Sequence, residues 1–289
     1  MTWLVAACAI VLAAALAAAL YRERRRGTSL RMRLDAAAAD LERMQVACSR
    51  LAPAGVVERL VADGSAAVLG AAERKVVTVL FADLVGYSAM SESLEPAAVA
   101  RMLNGYFQRM SDAIRENGGH VAKFLGDGMF AYFGALHTNP WQCDDAVRAA
   151  LAMRAAMAEY NSELARELDR PLAFGIGVHS GPGLAGFVGS SDRMDYDFIG
   201  HTVNLAARVQ TLTRLHGVDI LVTEAVRREL DERIVLDAMP AEPVKGIAEP
   251  IVTYAVRDII VASRDDAPRA HDRSRPQPVH SRASATVRQ

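Results

Sequence analysis

Val76-Val77-Thr78-Val79-Leu80-Phe81-Ala82-Asp83-Leu84-Val85-Gly86-Tyr87-Ser88 decides how this chain is read, together with Lys123-Phe124-Leu125-Gly126-Asp127-Gly128-Met129-Phe130-Ala131-Tyr132-Phe133. In the first stretch an apolar, β-prone run leads straight into Asp83, as a buried strand does. In the second, Gly126-Asp127-Gly128 between two apolar runs predicts a tight hairpin. An acid at a strand end and an acid at a hairpin tip converge when the strands are neighbours. Two carboxylates so placed make a site for a hard divalent cation, most simply Mg²⁺. Gly86 lets the backbone turn closely after Asp83 and exposes N–H groups to a phosphate. Either acid alone is ordinarily a turn residue or a helix cap. The pair, read with what lies downstream, is more specific.

Working outward, strands and helices alternate from Arg74. Val76 to Ala82 is the first strand. Glu95-Pro96 opens a helix whose Val99, Leu103, Tyr106, Phe107, Met110 and Ile114 share one face, and Gly118-Gly119 ends it. Strands follow at 120–124 and 129–133, then a long helix from about residue 142 to 167. A strand over 172–178, a turn at Ser180-Gly181-Pro182-Gly183 and a returning strand over 184–188 complete the pattern. This β-α-β-β-α-β order predicts an α+β, ferredoxin-like sheet with its helices on one face.

A third constellation is Asp195-Tyr196-Asp197-Phe198-Ile199-Gly200-His201-Thr202-Val203-Asn204-Leu205-Ala206-Ala207-Arg208. A β-like piece with Asp197 passes through Gly200 into a helix. Asn204 and Arg208, four apart, share a helical face, and Arg suits an anionic oxygen. By itself that face reads as ordinary solvated surface. A fourth piece, Pro243-Val244-Lys245-Gly246, precedes the last strand, where a lone Lys is ordinarily surface charge.

These four places together resemble the catalytic domain of the class III nucleotidyl cyclases, the adenylate and guanylate cyclases, over roughly residues 74–258. The resemblance implies that Asp83, Asp127 and the Leu84 carbonyl hold two divalent cations, Mg or Mn. It implies that Gly86, Tyr87 and Lys245 contact the triphosphate and that Lys123 and Asp197 read the base. Asn204 and Arg208 then serve the ribose and the transition state. The family builds each site between two copies, one giving Asp83 and Asp127, the other Lys123, Asp197, Asn204, Arg208 and Lys245. Lys123 and Asp197 complement adenine, which accepts at N1 and donates at N6, since Lys only donates and ionised Asp only accepts. The family's guanylate members carry Glu and Cys there. The expected activity is therefore conversion of ATP to 3′,5′-cyclic AMP and pyrophosphate by a homodimer. A catalytically weak cyclase-like scaffold and a guanylate cyclase are the other readings. Two departures affect turnover rather than ligands: Pro182 stands where some members have a triphosphate-contacting Arg, and His201 follows Gly200 where Asp or Asn is common.

The rest of the chain reads as appendages. Trp3 to Leu20 is uninterrupted apolar, about 27 Å as a helix, and Arg22, Arg24, Arg25 and Arg26 follow. We expect residues 1–21 to be a single-pass anchor in the inner (plasma) membrane with the catalytic domain cytoplasmic, the rival being a cleaved signal peptide. Within 22–52, Leu30, Leu34, Ala37, Leu41, Met44, Cys48 and Leu51 keep a/d spacing, which predicts a parallel coiled coil; an amphipathic helix packed on the domain is the rival. Residues 53–73 read as a short helical transducer and 259–289 as a disordered tail. The formal net charge of -1 gives no footprint for nucleic acid. Cys8, Cys48 and Cys143 have no metal-ligand spacing and form no disulfide framework.

Overall fold

A computed structural model describes residues 22, 32–40, 72–190, 194–244, 246–247 and 249–260. The chain divides into two compact units, Met1–Glu58 and Arg59–Gln289. In the first, residues 32–40 are helical and exposed, and they carry Leu34 and Ala37 of the heptad seam. The other seam positions, the apolar stretch Trp3 to Leu20, the 53–71 segment and the tail from residue 261 lie outside the described residues. Among the described residues no helix is long and apolar enough to cross a membrane.

The second unit follows the order β1 (Glu73–Leu84), α1 (Tyr87–Ser93), α2 (Pro96–Glu116), β2 (His120–Leu125), β3 (Gly128–Phe133), α3 (Gln142–Leu164), β4 (Phe174–Gly189), β5 (Met194–Ile199), α4 (His201–His216), β6 (Ile220–Thr223), α5 (Glu224–Arg227), β7 (Ile234–Ala238) and β8 (Thr253–Ile259). The sheet runs β2-β3-β1-β4-β6-β8-β7, with β5 paired to β4. Its first four strands, with α2 and α3, are the expected ferredoxin-like core. β1 is the centre of that core, antiparallel to both β3 and β4.

Strand alternation sends β1 side chains to two faces. Leu80, Ala82 and Leu84 face α2 and α3, in one core with Met110, Ile114, Met153, Ile176 and Val178. The opposite face is not bare, contrary to the expectation of helices on one side. α4 packs there, with Leu205 and Val209 against Leu221 and Ala255. The approach is close because β4 has no side chain at two positions. A Cβ on Gly177 would overlap the backbone of Gln210 and Ala206, and one on Gly175 would overlap Thr213.

The turn expected at Ser180 to Gly183 is absent. β4 is one continuous strand of 16 residues, and the chain reverses only after Gly189. Gly181 and Gly183 are needed for proximity instead. A Cβ on Gly183 would strike the Phe198 ring, and one on Gly181 would crowd the Thr202 hydroxyl. Pro182 is tolerated just beyond the last β4–β5 pair, Leu184 with Ile199, and its carbonyl accepts a 2.8 Å hydrogen bond from the Thr202 hydroxyl. The last strand also takes in Ile259, which the sequence places in the tail.

Arg154 makes a multiple polar tie between the ferredoxin-like core and its C-terminal extension. Arg154 on α3 donates to both carboxylate oxygens of Asp219, at 2.6 and 2.8 Å, and to the carbonyls of Val256 and Arg257. Arg154→Ala should cost about 2 kcal/mol, the lower part of the range for charged hydrogen bonds because the group is about a third exposed. Urea unfolding of the two proteins checks this; a change within about 0.5 kcal/mol, the range of ordinary surface substitutions, contradicts it.

Candidate active site

Asp83 is the second-last residue of β1. β3 pairs with β1 up to Ala82–Met129, and β2 and β3 are joined by the two residues Gly126 and Asp127. Gly126 sits at φ 68, a conformation that favours glycine in so short a hairpin. This register sets the hairpin tip beside the end of β1. A Cβ on Gly128 would lie 3.1 Å from Asp83 Oδ1. The Asp83 pKa is raised from the ordinary carboxylate value, first by burial, then by the Asp127 charge and a hydrogen bond with Asp127, against the opposing effect of Arg214. The two acids therefore converge.

A third side chain meets them. Arg214, in the last turn of α4, donates from Nη2 to Asp83 Oδ2 at 2.8 Å and to the Leu84 carbonyl at 3.1 Å. The guanidinium stands where a cation is wanted. Two carboxylates and a carbonyl offer only oxygen, the donor set that hard cations such as Mg²⁺ and Mn²⁺ prefer. The residues present thus fit a divalent metal. Tyr106 of α2 lies close to the same acids. Its hydroxyl is buried with no hydrogen-bond partner among the described residues, and burial followed by the charges of Asp83 and Asp127 pushes its pKa up. Beyond the acids, Gly86 adopts φ 73 and α1 begins at Tyr87, so the first amides of that helix lack intrahelical partners.

A second cluster forms on β2 and β5. Lys123 Nζ lies 2.6 Å from Asp197 Oδ2 and 4.0 Å from Asp195. The other oxygen of Asp197 accepts from the Phe198 amide at 2.9 Å. A β-bulge between Val121 and Lys123 makes this meeting possible. His120 pairs with Tyr132 and Lys123 with Phe130, so both share one face although they are three residues apart. In a regular strand Ala122 would occupy that face. Phe130 stacks on Phe81 at 5.0 Å in the same row.

The remaining candidates do not join these clusters. α4 buries Thr202, Leu205, Ala206, Val209, Gln210 and Thr213 against the sheet. Asn204 and Arg208 lie on the opposite side of that helix. Among the described residues neither has a side-chain hydrogen bond or ion pair. Lys245 lies outside the described residues.

Residues 70–258 match the adenylate and guanylate cyclase catalytic domain. The chain belongs to this cyclase family. It is similar to an adenylate cyclase of Anabaena cylindrica, at 37% identity over 65% of this chain and 38% of the relative. It is also similar to adenylate cyclase 1 of Rhizobium meliloti, at 28% identity over 66% of this chain and 29% of the relative. It thus spans well under half of either curated relative. Among solved structures, the adenylyl cyclase CyaB from P. aeruginosa superposes with a TM-score of 0.62 at 31% identity, over 68% of this chain and 98% of that one. The guanylyl cyclase Cya2 superposes with the same score, 0.62, at 30% identity, over 67% and 97%. Fold likeness therefore does not separate the two substrates.

Three residues beside the candidate clusters carry no signal in the sequence that points to them. Arg214 near a helix C-terminus reads as an ordinary complement to the helix dipole. Tyr106 reads as core, which it also is. Asp195 reads as one more acid of the Asp195-Tyr196-Asp197 motif. Its nearness to Lys123 follows from β5 carrying Asp195 and Asp197 on one face. His201 is exposed at the first position of α4 and touches neither cluster.

Proposed function

We propose that this cyclase converts ATP to 3′,5′-cyclic AMP and pyrophosphate, at sites shared between two copies of the chain. The observation that carries the choice of ATP is the 2.6 Å contact between Lys123 and Asp197. Two side chains 74 positions apart present a pure donor beside a pure acceptor. Adenine offers the matching acceptor at N1 and donor at N6. Guanine offers a donor at N1 and an acceptor at O6 and opposes both. That argues against the guanylate reading. A scaffolding module would not need this pair and the Asp83–Asp127 pair together.

Sharing between copies is supported by what one protomer lacks. Asn204 and Arg208 point away from the sheet that carries the acids. Phe124 and Leu125, each 52% exposed at the end of β2 beside the Asp127 hairpin, offer apolar surface for a partner. In the proposed dimer Asp83, Asp127 and the Leu84 carbonyl of one chain would hold two divalent cations, Mg or Mn. When bound, these would lower the pKa of the ribose 3′-hydroxyl and neutralise triphosphate charge. The backbone at Gly86 and Tyr87 faces the phosphates of the same site. The second chain contributes Lys123 and Asp197 to the base, Asn204 to the ribose and Lys245 to the triphosphate. The ribose 3′-oxygen attacks the α-phosphorus in line, its proton passing to solvent. The bond to the β-phosphate bridging oxygen breaks, and pyrophosphate leaves. Arg208 stabilises charge developing on the α-phosphoryl oxygens. We place the N-terminal apolar stretch in the inner membrane as the anchor, with the 30–51 seam pairing the chains in parallel and the catalytic domain cytoplasmic.

The test is a base swap. Lys123→Glu with Asp197→Cys should lower kcat/KM for ATP about 100-fold and admit GTP, since a polar mismatch in a built site discriminates strongly. Products from ATP and GTP with Mg²⁺ or Mn²⁺ are identified for both proteins. An unchanged ATP/GTP ratio sinks the base-reading assignment, and no cyclic nucleotide from the unmodified protein sinks the enzyme reading.

A further inference from the structure

We propose that Arg214 is a built-in competitor for the divalent cation, so that the affinity of this cyclase for metal is set by a residue outside the ligand set. The inference rests on the reading of Asp83, Asp127 and the Leu84 carbonyl as metal ligands. Arg214 Nη2 bonds the Asp83 carboxylate at 2.8 Å and the Leu84 carbonyl at 3.1 Å, two of those three donors. One positive group therefore satisfies the oxygens a cation would take, 130 or more positions away in sequence. The guanidinium already sits on two of the oxygens a cation would use, and two positive charges crowded at the same donors repel, so binding of the cation works against the arginine's contacts.

The surroundings suit a removable plug rather than a fixed strut. The Arg214 side chain is 50% exposed and that of Asp83 33%. Arg214 lies in the last turn of α4, beside Gly217, which ends the helix at φ 65. A long side chain there swings into water at modest cost and keeps a favourable place at the negative end of the helix. Water also weakens the ion pair, so the competition is moderate. The consequence is a raised cation threshold: the resting protein holds its paired acids neutralised and yields them when the divalent ion, or the ion with its nucleotide, outcompetes the arginine.

The experiment reads metal binding directly. Mn²⁺ is titrated into the full chain in detergent without nucleotide, and free Mn²⁺ is followed by electron paramagnetic resonance. Arg214→Gln should bind Mn²⁺ about tenfold more tightly than the unmodified protein, as expected for release of one charge-assisted contact in a half-exposed site. Arg214→Lys should fall between the two. An unchanged or weaker Kd in Arg214→Gln, with circular dichroism unchanged, overturns the proposal, because a residue that only orders the site weakens binding when lost. Absence of any Mn²⁺ site in both proteins up to millimolar concentration overturns it too. Asp83→Ala in the same titration separates this from the underlying reading. If a Mn²⁺ site persists undiminished in that variant, the metal assignment of Asp83 fails. If it is lost while Arg214→Gln has no effect, only the competition fails.

Discussion

Asp83→Ala and Asp127→Ala should each lower cyclic AMP production at least 100-fold, while the protein stays folded. The size follows from the donor set. Each change removes one of two carboxylates from a site whose third protein donor is a single carbonyl, and positioning of a cation supplies several kcal/mol of transition-state stabilisation. A factor of 100 needs only about 2.7 kcal/mol. The fold survives because both acids sit at element ends, one closing β1 and one on the hairpin tip. Asp83→Ala is also not expected to lower Tm at neutral pH. Its carboxyl is held above the ordinary value of 3.8, chiefly by burial and then by Asp127. The native chain thus keeps that proton to higher pH than the unfolded chain does. The contribution of this group is favourable below the ordinary value and is lost as pH rises through the raised one. Removing the acid should leave Tm at or above that of the unmodified protein, while activity collapses. Turnover above a tenth of the unmodified rate, with circular dichroism unchanged, would falsify the ligand assignment. A fall of several degrees in Tm at pH 7 would instead show that the Asp83–Arg214 contact outweighs the burial of the acid.

Mixing two inactive variants should restore activity. In the proposed homodimer Asp83→Ala and Lys123→Ala would each damage both sites, since every site would draw Asp83 from one chain and Lys123 from the other. In a mixed dimer one site collects both lesions and the other collects none. Random exchange makes half of the dimers mixed, and each has one intact site of two, so recovery to about a quarter of the unmodified activity is expected from mass-action mixing. Neither parent alone should exceed a few per cent. The geometry motivates this arrangement. Asn204 and Arg208 face away from the acids of their own chain, on the far side of α4 from its sheet-packed residues. Subunit exchange is verified with differently tagged chains. If exchange occurs and activity stays at the level of the single variants, the shared site is wrong.

The sequence by itself determined a good part of this protein. The apolar run into Asp83, the Gly126-Asp127 hairpin, the long amphipathic α2 and α3, and the β-α-β-β-α-β order are all local, and local chemistry was sufficient for them. Strand alternation, turn glycines and helical periodicity act within a few residues of where they are read. The convergence of Asp83 with Asp127 follows when β1 and β3 are neighbours. Only the tertiary structure decided the rest, because it depends on partners far away in the chain. Gly181 and Gly183 look like turn signals, yet they lie with Gly175 and Gly177 in one continuous strand where α4, Thr202 and Phe198 come too close for a Cβ. The bulge that turns Lys123 rather than Ala122 toward Asp197 leaves no mark in composition, since it arises from register between β2 and β3. Arg214 reaches Asp83 across 131 positions. A long, half-exposed arginine carries no sequence signal for its partner; the packing of α4 on the glycine face of β4 brings it there.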